Sequence, residues 1–233
     1  MRPTPWPFLL TALLWTHLAL AAEPPQGTWS LQLQGDTVIL GLREPEHTLT
    51  LTVPRAHFQG LAPTEGTDTR FQLVREAGTV SFEGRFLQDQ GAGHYRFTPS
   101  AAWDREMEAL GYTDFSDRER FTAAIFDLGP THLKALASLG YTRIPRKKLL
   151  EVALFQVTPE HVLALRAAGF GSLTLEELLQ ARIHQVTPAF IREIREAGYS
   201  SVTFAQLVRL RIHAINADSI RSFAAVRKSG GRE

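Results

Sequence analysis

Four histidines and six cations recur at a single interval along this chain. His132 and His161 are separated by the same step as His184 and His213. Imidazoles in pairs suggest metal binding, because neutral histidine is the commonest metal ligand. Cations also form columns. Arg105, Lys134, Arg192 and Arg221 occupy equivalent places, with Leu163 the exception, and Arg182 and Arg211 form a shorter set. A ladder of cations could grip a polyanion or an acidic protein. The interval itself weighs against a shared metal. Equivalent residues on stacked helices lie about 8–10 Å apart, whereas a zinc–nitrogen bond is about 2 Å. His184 and His213 fall near a helix end, where an imidazole suits the carboxyl-terminal dipole. No HExxH pair is present. No metal or cofactor is therefore expected.

Catalytic sets are missing as well. There is no GxSxG elbow, no phosphate loop and no cysteine, so the familiar activated nucleophiles do not arise. Glu76 and Glu83 could be taken as a carboxylate pair. They fall across a hairpin, where charge on a wet face is ordinary. The candidate residues are thus an interaction surface: Arg105, Lys134, Arg192, Arg221, Arg182, Arg211, His184 and His213.

What positions them is a repeat. Glycine followed by an aromatic recurs at Gly111-Tyr112, Gly140-Tyr141, Gly169-Phe170 and Gly198-Tyr199, in equal steps that give a period of 29. Constant spacing with repeated chemistry indicates a repeat array. Four units follow, 111–139, 140–168, 169–197 and 198–226, each a pair of short helices. The first helix opens on a capping box, Ser116 with Glu119, Thr174 with Glu177 and Thr203 with Gln206, in which hydroxyl and carboxylate or amide satisfy orphan amides reciprocally. Three columns supply its apolar stripe. They are Phe121, Leu150, Leu179 and Val208; Ile125, Leu154, Ile183 and Ile212; and Leu128, Val157, Val186 and Ile215. The second helix opens at Gly129-Pro130, Thr158-Pro159 and Thr187-Pro188, where threonine caps and proline at the first position loses no useful amide. It stops at the glycine in a Schellman turn, with the following aromatic expected on Met107, Leu136, Leu165 and Ile194. Residues 101–110 form a connecting half-repeat within 99–110. Residues 217–226 lack the proline and read as a terminal cap, and 227–233 as a disordered tail.

The first half alternates apolar and polar residues. Trp29, Leu31 and Leu33 share one side, as do Val38, Leu40 and Leu42; Leu49, Leu51 and Val53; Val80, Phe82 and Phe86; and Tyr95 with Phe97. Such alternation means half-buried strands, usually antiparallel. Gly35-Asp36, Ala77-Gly78 and Gly91-Ala92-Gly93 fall where hairpin turns belong. The expected fold is α+β: an antiparallel β sandwich or open barrel of six to eight strands over 22–98, then a helical repeat array, the two with separate cores.

Residues 1–21 read as a secretory signal peptide. Arg2 precedes an apolar run over residues 6–20, and Ala19-Leu20-Ala21 is a cleavage pattern. The membrane would be touched only through this segment if uncleaved. Residues 22–100 carry six basic and nine acidic side chains, and 101–233 carry eighteen and fifteen. Neither half has the charge of a nucleic-acid binder.

The phrases "GTWSLQL", "REAGTVSFEGRF", "GAGHYRFTP" and "RIHQVTPAFIREIREAGY" resemble a module of uncharacterised bacterial exported proteins. They also resemble the extracytoplasmic region attached to membrane metallopeptidases of the beta-lactam-sensor type, over about residues 27–226. The peptidase helices and zinc motif of that family have no counterpart here. The resemblance implies a sensing or interaction module outside the cytoplasm. The expected function is non-enzymatic binding of a protein, or of an acidic polymer, in the envelope or beyond, through the repeat surface. The alternative is an enzyme or metal-dependent ligand binder with a site at the junction of the two halves, around His94, Glu83 and His132.

Overall fold

The computed structural model describes residues 24–63 and 66–222. The segments read above as signal peptide and tail, and residues 223–226 of the last unit, lie outside the described residues.

Seven strands form the first half: β1 (Gln26–Gln34), β2 (Thr37–Arg43), β3 (Thr48–Pro54), β4 (Phe58–Gln59), β5 (Asp68–Arg75), β6 (Gly78–Leu87) and β7 (Gln90–Pro99). They make one antiparallel sheet in the order β3-β2-β1-β7-β6-β5-β4. The two edge strands are consecutive in the chain, joined by a single 3-10 turn at Arg55–His57. Three residues reach only about 10 Å, so the sheet must curl to bring its edges together. The result is a half-barrel rather than a two-sheet sandwich. One face carries Trp29, Leu40, Phe71, Leu73, Phe82 and Phe97, all buried. The Trp29 indole donates to the Glu83 carbonyl at 3.1 Å.

The expected turn at Gly91-Ala92-Gly93 is not one: all three residues lie inside β7. The reversal falls just before them, where Gln88 takes a φ of 55°. Glycine is needed at 91 for a packing reason, since a Cβ there would lie 2.7 Å from the Phe86 ring.

Eight helices follow: α1 (Ala101–Ala109), α2 (Asp117–Ile125), α3 (Pro130–Ser138), α4 (Arg146–Leu154), α5 (Pro159–Ala167), α6 (Leu175–Ile183), α7 (Pro188–Glu196) and α8 (Phe204–Ile212). Residues 217–222 begin another helix, capped where Asn216 accepts from the Ser219 amide at 2.9 Å. The capping boxes at Ser116, Thr174 and Thr203 are complete, each with both reciprocal bonds. Gly111, Gly140, Gly169 and Gly198 have φ of 88°, 100°, 92° and 109°. The amide after each bonds back five residues, as from Tyr141 to the Leu136 carbonyl at 3.1 Å. That 6→1 bond defines the Schellman motif.

Tyr112, Tyr141 and Phe170 pack on the core, whereas Tyr199 is exposed. Tyr112 and Tyr141 donate their hydroxyls 32 residues ahead, to the carbonyls of Ile144 (2.9 Å) and Leu173 (2.7 Å).

Separate cores were the expectation, and the structure corrects it. The buried apolar residues of sheet and helices form one continuous cluster. Helix α2 seats in the half-barrel: Phe121 stacks on Tyr95 at 5.6 Å and 5°, and meets Phe97 edge-on at 5.4 Å. A single curled sheet has no second sheet to cover its apolar face, so the helices must do it.

Candidate interaction surface and junction cleft

The cations of the candidate surface divide into two kinds. Arg182 and Arg211 point at their neighbours. Arg182 donates through Nε to the Phe155 carbonyl at 2.7 Å and through Nη2 to Gln156 at 3.1 Å. Arg211 donates twice to the Gln185 carbonyl, at 2.9 and 2.7 Å. Two arginines the spacing argument overlooked do the same on the other layer: Arg166 bonds the Leu139 carbonyl at 2.6 Å and Arg195 the Ala168 carbonyl at 2.7 Å. Each acceptor is at or just past the end of the helix two before the donor's own. Helix ends leave orphan carbonyls and a negative dipole pole, so these guanidiniums stitch successive helices together. Burial lowers the pKa of Arg182. Arg166 and Arg195 could have been found from the sequence, since they too are 29 residues apart.

The longer column lies on α1, α3 and α7 and on the helix beginning at 217. Lys134 pairs with Glu106 at 3.1 Å, and Arg221 with Asp218 at 2.7 Å, both exposed. Exposed pairs of this kind contribute little. Arg105 and Arg192 are exposed. His184 and His213 are the C-cap residues of α6 and α8. His132 bonds the Val157 carbonyl at 3.0 Å. His161 is half-buried, and burial, then the Arg182 charge, hold its pKa below the usual histidine range. Among the described residues no three histidine, aspartate or glutamate side chains converge as a metal site would require.

The second apolar column departs from expectation. Ile125 is 5% exposed, but Leu154, Ile183 and Ile212 are 49%, 48% and 56% exposed. They occupy one position in successive helices. The difference is what sits on them. Ile125 lies under the sheet, sharing a small cavity with Leu42, Leu49 and Tyr95. The sheet makes its main helix contacts with α2, and the same position on α4, α6 and α8 opens to solvent. His184 and His213 directly follow the two isoleucines.

The junction carries its own polar contacts. Glu44 is almost buried and accepts from the Tyr95 hydroxyl at 2.6 Å and from Arg118. Burial opposes the Glu44 charge, but the bonds from Arg118 and Tyr95 outweigh it, and its pKa is lowered. Glu76, in the β5–β6 turn, accepts from the Thr131 hydroxyl and from the Thr131 amide at 3.3 Å. It caps α3, whose own N-cap residue is Gly129 and has no side chain to do so. Arg75 donates to His57 Nδ1 at 2.7 Å and pairs with Asp127 at 3.5 Å. Because arginine only donates, His57 Nδ1 is the acceptor nitrogen. Burial, then Arg75, lower the His57 pKa.

His57, Arg75, Glu76, Asp127 and Thr131 border a cleft of about 730 Å³ between β3 and helices α2 to α5. His132 lines it, but the other two residues expected at the junction do not. Glu83 and His94 face each other across β6 and β7 and line a separate depression with Ser81 and Arg96. Alternation puts both on the wet face of the sheet, away from the helices. No family model, no curated protein and no solved structure matches this chain.

Proposed function

We propose that this protein is a non-enzymatic, extracytoplasmic binding module whose helices form a repeat array of period 29 that docks a partner protein. The helix starts support the repeat: Asp117, Arg146, Leu175 and Phe204 on one layer, and Pro130, Pro159 and Pro188 on the other, advance in equal steps. Repeat arrays bury their cores between neighbours and leave extended surfaces for partners. The signal-like sequence of residues 1–21 supports an address outside the cytoplasm.

One observation carries the docking reading. The Ile125 position is covered where the chain's own sheet lies on it, and the equivalent Leu154, Ile183 and Ile212 stand open. Three large apolar side chains in register, bordered by His184 and His213, make a line suited to a protein partner rather than to solvent. The cation columns contribute less to this reading, since Arg182 and Arg211 are bonded within the array and only Arg105 and Arg192 stand free among the described residues.

The test is affinity capture from envelope extract with the mature chain and with a Leu154→Ser, Ile183→Ser, Ile212→Ser triple variant. Substituting exposed positions should leave unfolding within about 0.5 kcal/mol per site. Partners held by the wild type and lost by the triple variant are expected. Equal capture by both chains overturns the reading.

A further inference from the structure

The junction cleft has one wall of unusual chemistry. Four consecutive residues of β3, Leu51 to Pro54, form it. Strand β3 is an edge of the sheet and pairs only with β2. Every second residue of such a strand directs its N–H and C=O away from the sheet. Natural proteins blunt open edges with charge, proline, extreme shortness or a cover, and the one proline of β3, Pro54, stands at its last position. The opposite edge is blunted, since β4 is two residues long. Strand β3 is seven residues, Thr-Leu-Thr-Leu-Thr-Val-Pro, without a charged side chain. Among the described residues no other backbone group bonds to it.

The facing wall is helical: Phe126 follows α2, Ala153 and Gln156 lie at the end of α4, and Pro159 opens α5. Leu49, Leu51 and Val53 turn their side chains to the same inner face as Leu40 and Leu42. Of the charged residues at the margin, Arg75 bonds His57 and pairs with Asp127, Glu76 bonds Thr131, and Glu160 stands exposed at the rim. What the cleft leaves unanswered is therefore backbone hydrogen bonding along β3, over an apolar floor.

We infer that this cleft seats an extended polypeptide segment of another protein, which adds to the sheet as an eighth strand beside β3. Main-chain bonds to β3 hold the segment, and its alternate side chains, apolar and uncharged, face Leu51, Phe126 and Ala153. This is strand addition, in which backbone pairing supplies affinity and alternate side chains supply specificity. The helical wall selects the source. It stands opposite the edge across one cleft, so a single strand enters, whereas a second copy pairing edge to edge would bring its own sheet and helices against that wall. The chain's own described ends, Pro24 and Ser222, do not line the cleft. The site is distinct from the apolar column on α4, α6 and α8, and either can fail alone.

The experiment pans a phage-displayed library of random eight-residue peptides on the full chain and measures binding of the enriched peptides by fluorescence polarisation. Sequences alternating apolar and polar residues are expected. N-methylation at every second peptide position should weaken binding by about tenfold or more, which is about one hydrogen bond to the edge. N-methylation at the intervening positions should have little effect. In the protein, Glu160→Trp, an exposed position on the cleft margin, should weaken the same peptides about tenfold with melting unchanged, and Leu51→Lys should weaken them as much while lowering the melting temperature, because Leu51 packs on the core. Failure to enrich any peptide, or binding indifferent to N-methylation, overturns the inference. So does a dimer in sedimentation that Leu51→Lys dissolves, which would give the edge to a second copy. Tighter binding by a synthetic peptide of residues 1–23 would give it to the chain itself, and overturns the assignment equally.

Discussion

Replacing Glu76 and Gly129 together tests how the sheet is joined to the helices. A threonine caps each of α5 and α7, at Thr158 and Thr187. In the first unit Gly129 stands there, in extended backbone with φ −145°, so no conformational strain calls for glycine. Space does. A Cβ built on Gly129 falls within the Glu76 carboxylate, with Cδ at 2.8 Å and the Glu76 Cβ at 3.0 Å. Glutamate from the sheet has taken the capping role and the volume of the missing side chain. Losing a cap costs about 1 kcal/mol, up to about 2. Glu76→Ala should therefore destabilise by about that amount, or roughly 2–4 °C in melting temperature per kcal/mol for a chain of this size. Gly129→Ser alone should also destabilise, by about 1 kcal/mol or more, because the serine must expel the carboxylate. In the Glu76→Ala background the clash is reduced to the 3.0 Å contact with the remaining Cβ, which a shift of a few tenths of an ångström relieves. There Gly129→Ser should restore about 1 kcal/mol as a local cap. The sign of one substitution thus reverses with the other. Urea and thermal unfolding of the four chains measure it as a double-mutant cycle. If Gly129→Ser has the same sign and size in both backgrounds, the capping argument is wrong.

Other outcomes follow from the same contacts. Arg195→Met should destabilise the chain by about 1–2 kcal/mol, because the Ala168 carbonyl loses a charged donor; a change below about 0.3 kcal/mol in urea unfolding would count against the stitching role of the arginines. Gly140→Ala should cost about 1 kcal/mol through backbone strain alone, since φ is 100° and no atom lies within 4 Å of the added carbon; unfolding unchanged by this substitution would contradict the Schellman assignment. The Glu44 carboxyl has a lowered pKa in the folded chain. Its contribution is therefore full above its ordinary value of 4.5 and is lost as pH falls through the lower folded value. Glu44→Gln should flatten the loss of stability in that acid window, and a stability curve with undiminished slope there would exclude Glu44 as a contributor.

Much of the helical half is determined locally, and the sequence states it. A capping box, a proline at the first helical position and a glycine at the stop each act within five residues, so α2, α6 and α8 begin at their boxes, α3, α5 and α7 begin at their prolines and stop at their glycines, while α4 has none of these start signals and α2, α4, α6 and α8 stop without a glycine. The alternation of Leu49, Leu51 and Val53 likewise determines which side of β3 turns inward, because the strand period is two. Tertiary structure decided what each face meets. Ile125 and Ile183 are the same residue type at the same helical position, yet one is buried and the other open. No local pattern distinguishes them, because the difference is the reach of a sheet that is remote in sequence. Arg182 and Arg211 read as free cations along a face, but each finds a carbonyl 26 or 27 residues back. Glu83 and His94 were placed at the junction by order along the chain, whereas strand pairing sets them together on the outer face. Gly129 stands where α5 and α7 have a capping threonine. The cause of that difference, the Glu76 carboxylate far earlier in the chain, appears only when the sheet folds against the helices.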